Sequence, residues 1–290
     1  MSCLSPTFGL YVHIPFCPQR CPYCAFTILT GHTALYDRYV EAVCTEICSW
    51  QALASKGPLQ SVFFGGGTPS LLAPVQVQQI LDTARATFGI APDAEITLEA
   101  NPTTADAQKF NALRASGINR LSLGVQSFND ADLKILGRWH SAADAEAAYS
   151  TARQAGFTNV NLDVIFSIPG TPRQHWQATV HKLLALAPEH ISTYALTIEE
   201  GTRFARRQYQ GRLTSVSEED DAWAYAWVME TLTAAGYEHY EVSNFARPGC
   251  RSRHNWGYWH DADYLGVGLS AHSLLNGQRH WNRRSLLAYL

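Results

Sequence analysis

Cys17, Cys21 and Cys24 fall within CPQRCPYCAF, residues 17–26, with Tyr23 directly before the third thiol and no fourth cysteine nearby. Structural zinc usually takes four protein ligands, and iron–sulfur clusters commonly take four thiolates. Three thiolates instead suit a [4Fe–4S] cluster that keeps one iron free for a substrate or cofactor. The prolines Pro15, Pro18 and Pro22 favour a loop wrapped around something bulky. Zinc completed by His13 or His32 is the alternative, at a Cys-x3-Cys-x2-Cys spacing unusual for that metal.

A second set of candidates lies at the ends of apolar runs. GGGTP, with Gly66, Gly67 and Thr68, follows SVFF; Glu99 and Asn101 follow EITL; Gln126 follows LSLGV; Asp163 lies inside NVNLDVIF. Taken singly, each has an ordinary explanation as a cap, an ion-pair partner or a loop tie. Their recurrence at equivalent places points to a shared polar ligand, because a polar group at the inner end of an apolar strand is costly without a partner. Cys44, Cys48 and Cys250 read as small packing residues.

Such convergence requires elements that deliver strand ends to one mouth. FGLYVHI, QSVFFGGG and AEITLEA read as strands, and residues 34–55, 74–88 and 105–115 as helices. A helix–glycine–strand phrase recurs in LRASGINRLSLGV, ARQAGFTNVNLDVIF and LTAAGYEHYEVS, where Gly117, Gly156 and Gly236 offer the positive φ on which helices stop. The alternation predicts an α/β fold with a parallel sheet and right-handed crossovers, doubly wound or barrel-like. Functional residues then belong at the C-terminal ends of the strands.

With 290 residues and 46% hydrophobic content the chain can bury a sizeable core, and a net charge of -3 argues against a nucleic-acid partner. No apolar run reaches the length of a membrane span, and MSCLSPTFGLYVHIPFC lacks the segments of an export signal, so the chain is expected in the cytoplasm. In that reducing compartment, cysteines crowded together read as metal or redox chemistry rather than disulfides. Arginine dominates the basic residues, notably Arg203, Arg206 and Arg207 after residue 200. A solvated face paired with Glu218, Glu219, Asp220 and Asp221 is the simpler expectation for most of these.

Placed after the first strand, the CxxxCxxC loop resembles that of the radical S-adenosylmethionine (SAM) family. The likeness is closer still to one branch, the oxygen-independent coproporphyrinogen III oxidases and their haem-chaperone relatives. It runs almost end to end through YVHIPFCPQRCPYCAF, FFGGGTPSLL, LEANP, RLSLGVQSFND, LGRWH, NLDVIFSIPG, HISTYAL and HNWGYW. The resemblance implies a partial (β/α)6 TIM-type barrel over residues 1–240, with a cluster on Cys17, Cys21 and Cys24 and SAM on the open iron. Tyr11 and Tyr23 would border SAM, Gly66, Gly67 and Thr68 would hold its methionine end, and Glu99 would contact it. Gln126, Arg138, Asp163 and Ala195 match positions that surround a second SAM in the oxidase.

The oxidase decarboxylates two porphyrinogen propionates, whereas the chaperone binds haem and delivers it. Phe26 stands where the oxidase loop carries a further cysteine, and HNWGYW resembles the HNxxYW signature of the chaperone branch; both favour the chaperone, with the oxidase as the alternative. Residues 241–290 are then a haem-chaperone-type segment. Within it His254 offers an axial ligand, Asn255, Tyr258 and Trp259 offer walls, and Arg251 and Arg253 can pair with propionates. A core aromatic cluster around a hydrogen-bonded histidine is the other reading of the same hexapeptide. Implied partners are haem or a related tetrapyrrole, haem-accepting apo-proteins such as membrane respiratory enzymes, an electron donor, and a peripheral membrane contact. RRSLLAYL reads as the start of a helix, and the family likeness implies a helical, winged-helix-like C-terminal domain, of which this chain is expected to be a truncated form.

Overall fold

The computed structural model describes residues 8–104 and 106–290, so Cys3 and the first seven residues of the stretch read for an export signal lie outside the described residues. Its centre is a run of parallel strands laid side by side in chain order: β1 (Gly9–Ile14), β2 (Leu59–Gly66), β3 (Ile90–Ala100), β4 (Arg120–Gln126), β5 (Val160–Phe166) and β6 (His190–Ala195). Between them come α1 (Tyr36–Ser49), α2 (Pro74–Phe88), α3 (Ala107–Ala115), the short α4 (Asp130–Ile135), α5 (Ala142–Gln154) and α6 (Arg173–Leu186). After β6 follow α7 (Arg203–Tyr209) and α8 (Glu218–Ala234). This is the α/β alternation of a partial (β/α)6 barrel.

The chain builds these elements for local reasons. Ser141 and Asp144 form a reciprocal capping box on α5, Pro74 opens α2, and Asp106 caps α3. Gly117 and Gly156 take φ of +105° and +85° at the ends of α3 and α5, ahead of β4 and β5. Along β1 the side chains alternate: Leu10, Val12 and Ile14 are buried in the helix-covered core, while Tyr11 and His13 point into the barrel. Each such apolar side chain contributes about 1.5–3 kcal/mol by leaving water.

Two expectations are altered. The helix expected over 34–55 ends at Ser49, and a tighter turn, Gln51–Lys56, stops on Gly57 at φ +90°. After Gly236 there is no parallel strand. Instead β7 (Glu238–His239) and β8 (Asn244–Ala246) form a hairpin, with β8 antiparallel to β6. The His239 ring stacks on Phe245 at 4.4 Å, which holds the hairpin closed. Beyond α9 (Arg253–Trp259), β9 (Tyr264–Val267) returns to pair parallel with the free edge of β1. There β10 (His272–Leu275) and β11 (Gln278–Trp281) complete an eleven-stranded sheet. No described helix is long and apolar enough to cross a membrane.

Candidate functional site

The cysteine loop is tied at both ends. Phe16 and Cys17 pair in parallel with Leu29 and Thr30, and Arg20 reaches back to donate to the carbonyls of Ile28 at 2.9 Å and Phe26 at 3.2 Å. Gln19 donates to Gly137 O at 2.7 Å. The GGGTP segment braces the loop from below: Gly67 N–H donates to Ile14 O and Thr68 N–H to Phe16 O, at 2.8 and 2.7 Å. A glycine is obligatory here because a Cβ on Gly67 would lie within 2.8 Å of the Pro15 carbonyl group, and Gly66 adopts φ +109° beneath His13.

Above this brace opens a cavity of about 440 Å³, lined by Cys17, Cys21, Tyr23, Cys24, Gly66, Gly67, Thr68, Glu99, Gln126, Arg138, Asp163 and Ala195. The C-terminal ends of β2, β3, β4 and β6 all contribute to it, as the fold class demands. Asn101 and Tyr194 line it as well. Phe26, Trp139 and Tyr194 leave 67%, 69% and 41% of their surfaces exposed along this lining. Tyr11 is not part of the lining. It fills the barrel interior, with its hydroxyl 3.0 Å from His13 Nδ1 and its ring stacked on Phe63.

Charge in the cavity is arranged around Arg138. Its Nη2 donates to Asn101 Oδ1 and to Gly124 O, the latter at 3.0 Å, and Nη1 lies 3.7 Å from Cys21 Sγ. Gly124 makes room for this, since a Cβ there would meet Asn101 and Gln126 at about 3 Å. Gln126 itself sits at φ +68° on a bulge, a strained non-glycine conformation of the kind that clusters at functional sites. Burial, aided by the neighbouring Asp163 charge, pushes the Glu99 carboxyl up to about 8 against the opposing hydrogen bond from Gly66 N–H. Burial likewise pushes Cys17 up to about 11, opposed by its contact with Thr68 Oγ1, and raises Cys24.

Beneath the floor a hydrogen-bond chain crosses the barrel. Ser122 donates to Asp163 Oδ2, and Asn161 Nδ2 donates to Asp163 Oδ1, both at 2.8 Å. Asn161 Oδ1 accepts from His190 Nδ1 at 2.6 Å, leaving His190 Nε2 to accept from Tyr240 OH at 2.7 Å. The Tyr240 hydroxyl oxygen accepts in turn from Ser252 N–H, at the cap of α9. None of these partners was legible as a set, because they belong to β4, β5, β6 and the segment before α9.

HNWGYW occupies the other end of the barrel. His254 is buried against the first residues of β1 and β2: Ser61 Oγ lies 2.9 Å from its Nδ1 and Tyr258 OH 2.8 Å from its Nε2. Burial, reinforced by Arg120, pushes its imidazolium down to about 3. This is the geometry of a hydrogen-bonded core histidine, and both ring nitrogens are already engaged. Glu95 docks the helix by accepting from Ser252 Oγ and from the N–H groups of Arg253 and His254. Arg251 and Arg253, candidates for propionates, are paired with Glu238 and Asp93. Asn255 is partly buried; Tyr258 turns its hydroxyl in to His254 and leaves one part of its ring open to solvent, and Trp259 faces outward with 57% of its surface exposed.

The residues around the cysteine loop fit a cluster bound at three corners. Among the described residues no three His, Cys, Asp or Glu side chains converge on a single-ion site. His13, the suggested fourth zinc ligand, accepts from Tyr11 OH and donates from Nε2 to Thr27 O at 3.0 Å. Three unbridged thiols beside an arginine, with space above them, match a larger anionic group.

A family model for the radical SAM superfamily matches residues 11–183. A Synechocystis protein named heme chaperone HemW is 42% identical, over 99% of this chain and 70% of that protein. Its Escherichia coli namesake is 40% identical, over 92% of this chain and 70% of that protein. The solved structure of E. coli coproporphyrinogen III oxidase (HemN) superposes with a TM-score of 0.83 at 27% identity, covering 97% of this chain and 68% of that one.

Proposed function

This chain belongs to the radical SAM superfamily and to the family of the haem chaperones it matches, and on that premise we propose that it is a cytoplasmic [4Fe–4S] protein that binds haem and delivers it to apo-proteins. The observation that carries the reading is the meeting of three free thiols with a cavity whose floor is charged and whose rim is aromatic. When bound, the cluster and SAM supply an open iron and a reducible sulfonium.

The residues of the chain itself do the positioning. Cys17, Cys21 and Cys24 hold the cluster, and Arg138 offsets thiolate charge while fixing Asn101. Thr68 and the Gly66–Gly67 backbone shape one wall; Glu99, Gln126 and Asp163 supply polar groups to the rest, and Ala195 lines it. Tyr23 walls the cavity over the loop, while Tyr11 supports the interior beneath it, behind His13. Protons leave the buried thiols as metal arrives, so loading is favoured by rising pH.

For haem, we infer that residues 241–290 form a chaperone-type segment on a 1–240 core, with the outward faces of Tyr258 and Trp259 as its apolar walls. His254 becomes an iron ligand only when its bond to Ser61 or Tyr258 breaks. The test is anaerobic reconstitution followed by iron and sulfide analysis and haem titration. Stoichiometric zinc without iron sinks the cluster, and absence of saturable haem binding sinks the chaperone role. The second reading, porphyrinogen oxidative decarboxylation, is favoured by the superposition on HemN. Carbon dioxide release from coproporphyrinogen III with SAM and a reductant would establish it instead.

A further inference from the structure

α7 is anchored to the cysteine loop by a single buried residue. Phe204 is fully buried, its N–H donates to Pro22 O at 2.9 Å, and its ring packs 6.3 Å from Tyr23. The rest of the helix turns outward. Arg203, Arg206 and Arg207, with Arg212 just beyond, are exposed, and none of their side chains makes an ion pair or hydrogen bond among the described residues. By contrast Arg20, Arg138, Arg153, Arg173, Arg251 and Arg253 are all engaged.

Half of the acidic start of α8, expected to neutralise them, is directed elsewhere. Asp220 pairs with Arg173 and Asp221 accepts from Ser167. The exposed carboxylates flanking α7 in the chain are Glu199 and Glu200, in the turn before it, and Glu218 and Glu219, at the start of α8. Tyr209 stands at the end of the helix with 94% of its surface in solvent. Arginine and tyrosine are the residue types enriched in protein interfaces, and on a chain of net charge -3 the helix itself carries three arginines and no carboxylate.

We propose that α7 is the docking surface for an acidic one-electron carrier protein, which reduces the metal centre held by the adjoining cysteine loop. The proposal rests on the cluster reading above. One electron passes from carrier to cluster, the carrier being oxidised by one and the cluster reduced by one, with no bond made or broken. An anionic membrane would also be attracted to arginine, but it carries no electrons, and the helix that bears the patch is anchored on the redox loop through Phe204.

The probe is a purified acidic flavodoxin, titrated onto the anaerobically reconstituted protein at about 50 and about 200 mM salt, between which screening of surface charge increases. Replacing Arg203, Arg206 and Arg207 together by glutamate is expected to weaken binding at least about tenfold and to remove its salt dependence, whereas the triple lysine variant retains most of it. The rate of cluster reduction by the carrier falls with the affinity, while reduction by dithionite and the iron content are unchanged. If wild-type protein contains iron but charge reversal leaves the affinity intact, the docking proposal falls and the cluster reading stands. Binding of the patch to phosphatidylserine vesicles and not to the probe also overturns it. If iron is absent from the wild type, both fall.

Discussion

A Cβ placed on Gly67 would lie 2.6 Å from the carbonyl oxygen of Phe16, the residue that leads into Cys17, the first of the three loop cysteines. The loop and the glycine segment are thus packed backbone to backbone. Gly67→Ala must push the loop outward, at a cost of about 1–3 kcal/mol. The expected result is a lower melting temperature and a clear loss of iron after reconstitution. Full iron content in the variant would show that the close approach is not needed for loading.

Arg138 bridges the thiol of Cys21 to the carbonyl face of Asn101 and Gly124. Arg138→Met keeps the length of the side chain but removes the cation, so thiolates at the site become harder to form. Iron should be lost to a chelator at least about tenfold faster, a difference of about 1.4 kcal/mol. Arg138→Lys should restore retention only in part, since an ammonium cannot serve all three partners in one plane.

Stability should fall in acid for a specific reason. Burial, then Arg120, pushes His254 down to about 3; burial, then Arg138, pushes His140 down to about 4; the ordinary value is 6.5. Folded-state values below the unfolded one mean that the unfolded chain takes up protons first as pH falls. The contribution of these histidines is fully present above pH 6.5 and is lost progressively between that pH and 3–4, by about 1.4 kcal/mol per pH unit for each group. Urea denaturation from pH 7 to pH 5 should show a falling midpoint, with a shallower fall in His254→Gln. An unchanged slope would mean that His254 is protonated in the folded protein.

The two sides of α9 predict different phenotypes. Trp259→Ala removes an exposed ring and should weaken haem binding about tenfold, equivalent to about 1.4 kcal/mol, while leaving the melting temperature within a degree or two. His254→Ala deletes a buried ring with two hydrogen bonds and should destabilise the fold by about 2–4 kcal/mol. Haem titration and thermal melts on both variants separate surface from core. A melting temperature untouched by His254→Ala, with haem affinity lost, would make the histidine a ligand after all.

By itself the sequence determined the family and most of the scaffold. Thiol spacing, terminal glycines and strand-length apolar runs are local signals, and they placed Cys17, Cys21, Cys24, Glu99 and Gln126 at strand ends and Asp163 within a strand. The cavity brings all of them together. Only the tertiary structure decided which end of the barrel each group reaches. Strand direction and residue parity put His254 beside Gly9 and Ser61, at the strands' beginnings, while the cysteine loop follows their ends. Pairing partners far apart in the chain leave no mark on local spacing. The return of β9 to β1, the clasp of Arg20 and the hydrogen-bond chain from Asp163 to Tyr240 therefore emerge only when the sheet closes.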